Sequence, residues 1–242
     1  MPDLKYISYS PRPFPSTLPI NYYCPRLPNV RSAFEAIYDS ADTLALCVAD
    51  QIPGDRYLKG KNHFQGIARL QNSRYLILSG GDDKLGCGHL FVGRLDSRPA
   101  TGAWRTNLFF DDTTPAGDNL DKLILTLNLN DASHGIDSRL WHVGGISVSC
   151  DVLAAPIECP DGDSVVMFYN FNDPERPAIL SRYTRIERPA RKAGAVAMVD
   201  LANGHILVGV SGRHSSDGKH YLDLYLSKDA GWTKGFTQVD SV

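Results

Sequence analysis

One strand unit recurs three times along this chain, and a recurring unit constrains a fold more than any single element does. It opens at His63-Phe-Gln-Gly66-Ile67, again at His142-Val-Gly-Gly145-Ile146, and more loosely at Arg191-Lys-Ala-Gly194-Ala195. Each opening leads into an apolar run, a turn, a second apolar run, a polar loop and a third run. One such sheet cannot bury both of its faces alone, so the copies must pack on one another.

The spacing inside the units supports the repeat. Gly66-Ile-Ala-Arg-Leu70 precedes Tyr75-Leu-Ile-Leu78, and Ala195-Val-Ala-Met-Val199 precedes His205-Ile-Leu-Val208. Asn203-Gly204 is the strongest hairpin signal and predicts a type I′ turn, with Asp161-Gly162 in the matching place of the second unit. Ser79-Gly80 and Ser211-Gly212 close the second strands, and the offsets from Ser79 to Leu90 and from Ser211 to Leu222 are equal. Gly66, Gly145 and Gly194 are expected where strand backbones approach closely. Between the first two units, alternating Leu123, Leu125, Leu127 and Leu129 predict a half-buried strand, and 104–110 offers another.

Repeated short antiparallel sheets are the material of a β-propeller. The predicted fold is therefore mainly β and propeller-like, a small or incomplete ring with one N-terminal helix. A two-sheet β-sandwich is the alternative. Residues 1–30, with Pro11, Pro13, Pro15, Pro19, Pro25 and Pro28, form an extended arm because proline fixes φ and cannot donate to a ladder. Residues 31–242 form a single β-rich domain with units near 63–97, 142–185 and 191–229. The helix is expected where Phe34, Ile37, Tyr38, Ala41, Leu44, Ala45 and Val48 repeat on one face. The competing reading makes a strand of 44–48.

A formal charge of −2 argues against a dedicated nucleic-acid binder. No apolar run approaches the roughly 20 residues of a membrane helix. The first residues lack a secretory pattern, which suggests a cytoplasmic chain or one secreted after leader removal. The five cysteines, Cys24, Cys47, Cys87, Cys150 and Cys159, form no Cys-x-x-Cys pair. They are expected reduced and buried, with Cys150–Cys159 as the candidate cross-link in an oxidising compartment.

Equivalent places in successive blades of a ring converge on its centre. His63, His142 and Arg191 hold such places, and two imidazoles with a guanidinium could bind a divalent metal or an anion, or act as acid and base. The alternative is that each histidine only satisfies backbone groups at a strand start. The loops at 81–87 and 213–219 fall at matching places and offer Asp82, Asp83, Arg213, His214 and Asp217 to a ligand. The pairs Asp82-Asp83 and Asp111-Asp112, with Asp161-Gly-Asp163, have no calcium-loop spacing and are read as turn residues. Arg182, Arg185, Arg188, Arg191 and Lys192 form a basic run, expected to be a solvated connection. No nucleophile elbow, phosphate loop or dinucleotide fingerprint is present.

These readings converge on a soluble propeller-type protein that binds a small molecule or glycan. A hydrolase using His63, His142 and Arg191, with or without a divalent metal, is the alternative. Open strand edges also leave self-association as an expectation.

Overall fold

The computed structural model describes residues 45–46, 63–70, 74–82, 86–94, 105–106, 122–129, 139–180, 184–230 and 234–242. Its strands are β1 (Ala45–Leu46), β2 (His63–Arg69), β3 (Tyr75–Asp82), β4 (Cys87–Arg94), β5 (Arg105–Thr106), β6 (Lys122–Asn128), β7 (His142–Val143) and β8 (Ser147–Ser149). They continue with β9 (Val152–Glu158), β10 (Ser164–Asn170), β11 (Ala178–Ile179), β12 (Ile186–Arg188), β13 (Ala195–Asp200), β14 (Ile206–Arg213), β15 (His220–Ser227) and β16 (Phe236–Ser241). The protein is mainly β, built of several antiparallel sheets, with no helix among the described residues.

The first sheet runs β2-β3-β4-β6 and the third runs β13-β14-β15-β16. In the second, β7 and β8 both pair with β9, β9 pairs with β10, and β11 and β12 both pair with β10. Leu123, Leu125 and Leu127 of the alternating leucines lie in a strand, β6, which completes the first sheet with Leu127 opposite Leu90; Leu129 follows its end. The matched offset is realised as pairing: Ser79 faces Leu90, and Ser211 faces Leu222. Most of the predicted helix and the whole proline-rich arm lie outside the described residues. Ala45–Leu46, inside that stretch, is a strand paired in parallel with β5, as in the competing strand reading.

Burial in the second sheet explains why its strands read as unbroken apolar runs. Every residue of β9 and β10 is buried, as expected for strands covered on both faces. Alternation then divides them between two cores. Leu153, Ala155, Ile157, Val165, Met167 and Tyr169 pack with Ile77, Leu90, Val92 and Leu127 of the first sheet. Val152, Ala154, Val166 and Phe168 pack with Val196, Met198, Val208, Val210 and Tyr225 of the third. The second sheet thus lies between the first and the third.

The opening strands of the three sheets meet through glycine. A Cβ on Gly66 would lie 2.7 Å from the Ile146 nitrogen, and one on Gly145 would lie 3.3 Å from the Ala195 Cβ. At this junction between the second and third sheets the added Cβ of Gly144 would sit 2.4 Å from the Gly194 carbonyl oxygen, whereas Gly194 itself has ordinary space around it. Close packing was expected at Gly194; its neighbour across the junction supplies it.

Two further expectations are corrected. Asn203-Gly204 does not form a type I′ turn, because Gly204 has φ +82° while Asn203 is not at positive φ. Gly204 N–H donates to the Leu201 carbonyl and Leu201 N–H to that of His205, so the loop has three residues and ends in a left-handed glycine. The Pro160-Asp161-Gly162 loop repeats this geometry, with Gly162 at φ +101° and its N–H on the Cys159 carbonyl. The cysteines are not all reduced. Cys150 is disulfide-bonded, while Cys159 is free and buried, so these two do not join each other.

Candidate functional site

Strand β15 turns Asp223, Tyr225 and Ser227 inward. A carboxylate buried this way must find cations and donors to remain ionised. Arg188, arriving from β12 of the neighbouring sheet, supplies the main one. Its Nη2 donates to Asp223 Oδ2, and neither side chain reaches solvent. The rest of the guanidinium is also engaged, with Nε donating to the Tyr225 hydroxyl at 3.1 Å and Nη1 to the Lys192 carbonyl.

Asp223 collects further partners. His214 Nε2 lies 2.9 Å from Oδ2, and Arg191 Nη1 lies 3.6 Å from it. Ser241 Oγ donates to Oδ1 at 2.6 Å, and Gln238 Nε2 reaches it at 3.4 Å. Burial pushes the carboxyl pKa up, but the donors Ser241, Arg188 and His214 outweigh it and hold the group below the ordinary aspartate value. Asp223 is therefore an anion inside the protein.

A cavity of about 400 Å³ opens beside this network, between β12 and strands β15 and β16. Arg185, Glu187, Arg188, Arg191, Tyr225, Phe236 and Gln238 are among its walls. Arg185 pairs with Glu187 at 2.5 Å. Arg191 donates from Nη1 to Gln238 Oε1 at 2.7 Å and keeps a third of its side chain exposed. Phe236 is stacked on Phe168, with ring centroids 5.0 Å apart. The cavity thus combines guanidinium groups, one amide and aromatic walls, and its volume falls within the usual range for small-molecule sites.

A second polar cluster lies at the start of the second sheet. Glu158, nearly buried, takes the Ala193 N–H at 2.8 Å, His142 Nδ1 at 2.9 Å and the Lys192 ammonium at 3.7 Å. Burial raises the Glu158 pKa, but the His142 contact and the Ala193 N–H more than offset that, so it too is held low. An ionised Glu158 fixes Nδ1 as the donor nitrogen of His142. Segment 188–193 strings the two clusters together, since Arg188, Arg191, Lys192 and Ala193 all contribute to one or the other.

The residues singled out from sequence are distributed as follows. His142 turns to Glu158 and Arg191 turns to Asp223, so each serves a different carboxylate. His63 pairs in register with Gly81, whose opposite side backs onto Trp141 and His142; its side chain lies outside the described residues. Asp82 ends β3 opposite Cys87, and its side chain and all of Asp83 are likewise outside them, as is the Asp111-Asp112 pair. Arg213 is exposed and donates from Nε to the Gly218 carbonyl. His214 is buried on Asp223 and stacked on Tyr221 at 4.2 Å. Asp217 accepts from the Tyr221 hydroxyl at 2.6 Å and from Lys219 N–H, and the Tyr221 bond lowers its pKa. Asp161 and Asp163 face Arg139. Among the described residues no three His, Cys, Asp or Glu side chains gather as metal ligands would.

Sequence reasoning missed Asp223 and Glu158, and it placed Arg188 in a solvated connection, whereas Arg188 is fully buried. A usable signal was Asp223 itself, an acid in the middle of an otherwise apolar strand. In comparison with known proteins, the chain matches no family model and no curated sequence. Fold and site together define a mainly β protein with a polar, arginine-bearing cavity between two sheets.

Proposed function

We propose that this chain is a propeller-type ligand-binding protein, with carbohydrate as the ligand class. Three features support the ring over a sandwich. The second and third sheets are meanders, with first strands that touch through Gly144, Gly145 and Ala195. The first sheet joins them at Gly66 and Ile146. The shared register of Ser79 and Ser211 repeats the same hairpin in two sheets.

The cavity carries the functional reading. It offers a guanidinium, an amide and aromatic rings on a rigid strand framework, the mixture that suits hydroxylated rings. The matching loops with Arg213, His214 and Asp217 belong to the same reading, because His214 ties that loop to Asp223. A glycan array, followed by thermal-shift titration of the best binders, tests it. Stabilisation by at least one sugar is the expected result, and no response to any sugar would discard the reading.

One observation favours a second reading, a hydrolase. Glu158 orients His142 through Nδ1 as a carboxylate orients a catalytic imidazole. In that reading His63 and Arg191 complete the constellation, with a divalent metal as its cofactor. Metal analysis of the purified protein and of the His63→Ala and His142→Ala variants tests the metal. Equal metal content in all three would remove it.

A further inference from the structure

We infer that the cavity between β12 and β16 takes a sugar bearing a carboxylate, a uronic acid, and that Arg191 is the residue that recognises the acid group. This inference rests on the carbohydrate-binding reading and narrows it.

The charges around the cavity lead to it. Arg185 is balanced by Glu187 at 2.5 Å. Arg188 is balanced by Asp223, both fully buried. Among the described residues lining the cavity, Arg191 is the remaining cation. Its approach to Asp223, at 3.6 Å, is to an oxygen that already receives Arg188 and His214. One positive charge at the wall is therefore left over, enough for a monoanion.

The geometry of Arg191 matches a carboxylate. Its described side-chain contacts, to Gln238 and Asp223, both use Nη1. Among the described residues its Nε–H and Nη2–H have no protein partner, and that edge of a guanidinium is a planar fork that meets both oxygens of a carboxylate. The Gln238 bond and the Ser164 hydroxyl on the Arg191 carbonyl hold the residue in place from either end. Tyr225 and Phe236 supply apolar wall for the sugar ring, and about 400 Å³ accommodates one or two sugar residues.

Calorimetric titration with galacturonate and glucuronate, as monomers and short oligomers, against galactose and glucose counterparts tests the inference. The acids are expected to bind at least about tenfold more tightly, a charge-assisted bidentate contact being the difference. Arg191→Gln is expected to erase that preference, so that the variant binds acidic and neutral sugars alike. Arg191→Lys, which keeps the charge without the fork, should recover only part of it and serves as the check should the glutamine variant prove unstable. Equal binding of acidic and neutral sugars would overturn the inference and spare the carbohydrate reading. Binding of neither class would overturn both.

Discussion

Arg188 and Asp223 meet across two different sheets, and neither side chain is accessible to solvent. The pair ties the outer strand of the second sheet to the third strand of the next. A buried pair of this kind gives little net stability over a well-packed apolar replacement, because desolvating both ions offsets their attraction. Breaking it from one side is different.

The first prediction follows from that asymmetry. Asp223→Ala leaves Arg188 buried without its counter-ion, and the expected loss is about 3–5 kcal/mol. The double variant Arg188→Met, Asp223→Leu should recover most of that loss. Urea unfolding of the two variants and the parent measures it. A double variant no more stable than the single one would show that the surrounding donors, rather than the ion pair, dominate.

Stability should fall in acid. Asp223 and Glu158 both have folded pKa values held below their ordinary ones. A depressed carboxylate contributes stability above its unfolded pKa, about 3.9 for Asp and 4.3 for Glu, and loses it as pH falls through the lower folded value. Glu158→Gln should therefore be less stable than the parent at pH 7, with the gap closing as the pH drops below about 4. Unfolding midpoints at a series of pH values between neutral and strongly acidic would reveal it. A gap that stays constant with pH would mean that Glu158 contributes packing rather than charge.

How much of this was visible in the sequence depends on the range of the interaction. The hairpin register was legible because Ser79–Leu90 and Ser211–Leu222 are local pairs fixed by strand alternation. The site was not. In Tyr221-Leu-Asp-Leu-Tyr225, alternation by polarity puts the leucines inside and the acid outside, yet Leu222 is 40% exposed and Asp223 is 0% exposed. The inversion is stable only because Arg188, distant in sequence, supplies a counter-charge. His142 was recognisable as a candidate, but its partner Glu158 ends the adjacent strand β9 and becomes its neighbour only through β7–β9 pairing. The turn at Asn203-Gly204 was placed correctly and typed wrongly, since loop length decides whether one or two residues adopt positive φ.

Tyr169 offers a test of the core between the first two sheets. Its hydroxyl is buried with no hydrogen-bond partner among the described residues, and burial alone pushes its pKa far up, so it stays neutral. An unmet buried hydroxyl costs roughly 1–3 kcal/mol. Tyr169→Phe, which keeps the ring, should leave the protein as stable or raise its Tm. A clear loss of stability in that variant would indicate a buried water bonded to the hydroxyl.

Gly212 links the fold to the candidate site more tightly than any ligand-facing residue. A Cβ there would fall 1.8 Å from the Lys192 carbonyl oxygen, a backbone atom that cannot rotate away. The same carbonyl accepts Arg188 Nη1, and the Lys192 N–H donates to the Arg213 carbonyl. Gly212→Ala must therefore push segment 190–193 off β14. That displaces Arg191 from the cavity, and it withdraws the Ala193 N–H from Glu158. The expected cost is at least about 1–3 kcal/mol, the usual range for overpacking, together with weakened ligand binding. Gly209→Ala is the control, because its added Cβ meets only the ends of Leu222 and Leu224 side chains, which can shift. Urea midpoints and sugar titrations of both variants decide the matter. A Gly212→Ala protein with parental stability and affinity would show that the 190–193 segment can move without disturbing either cluster.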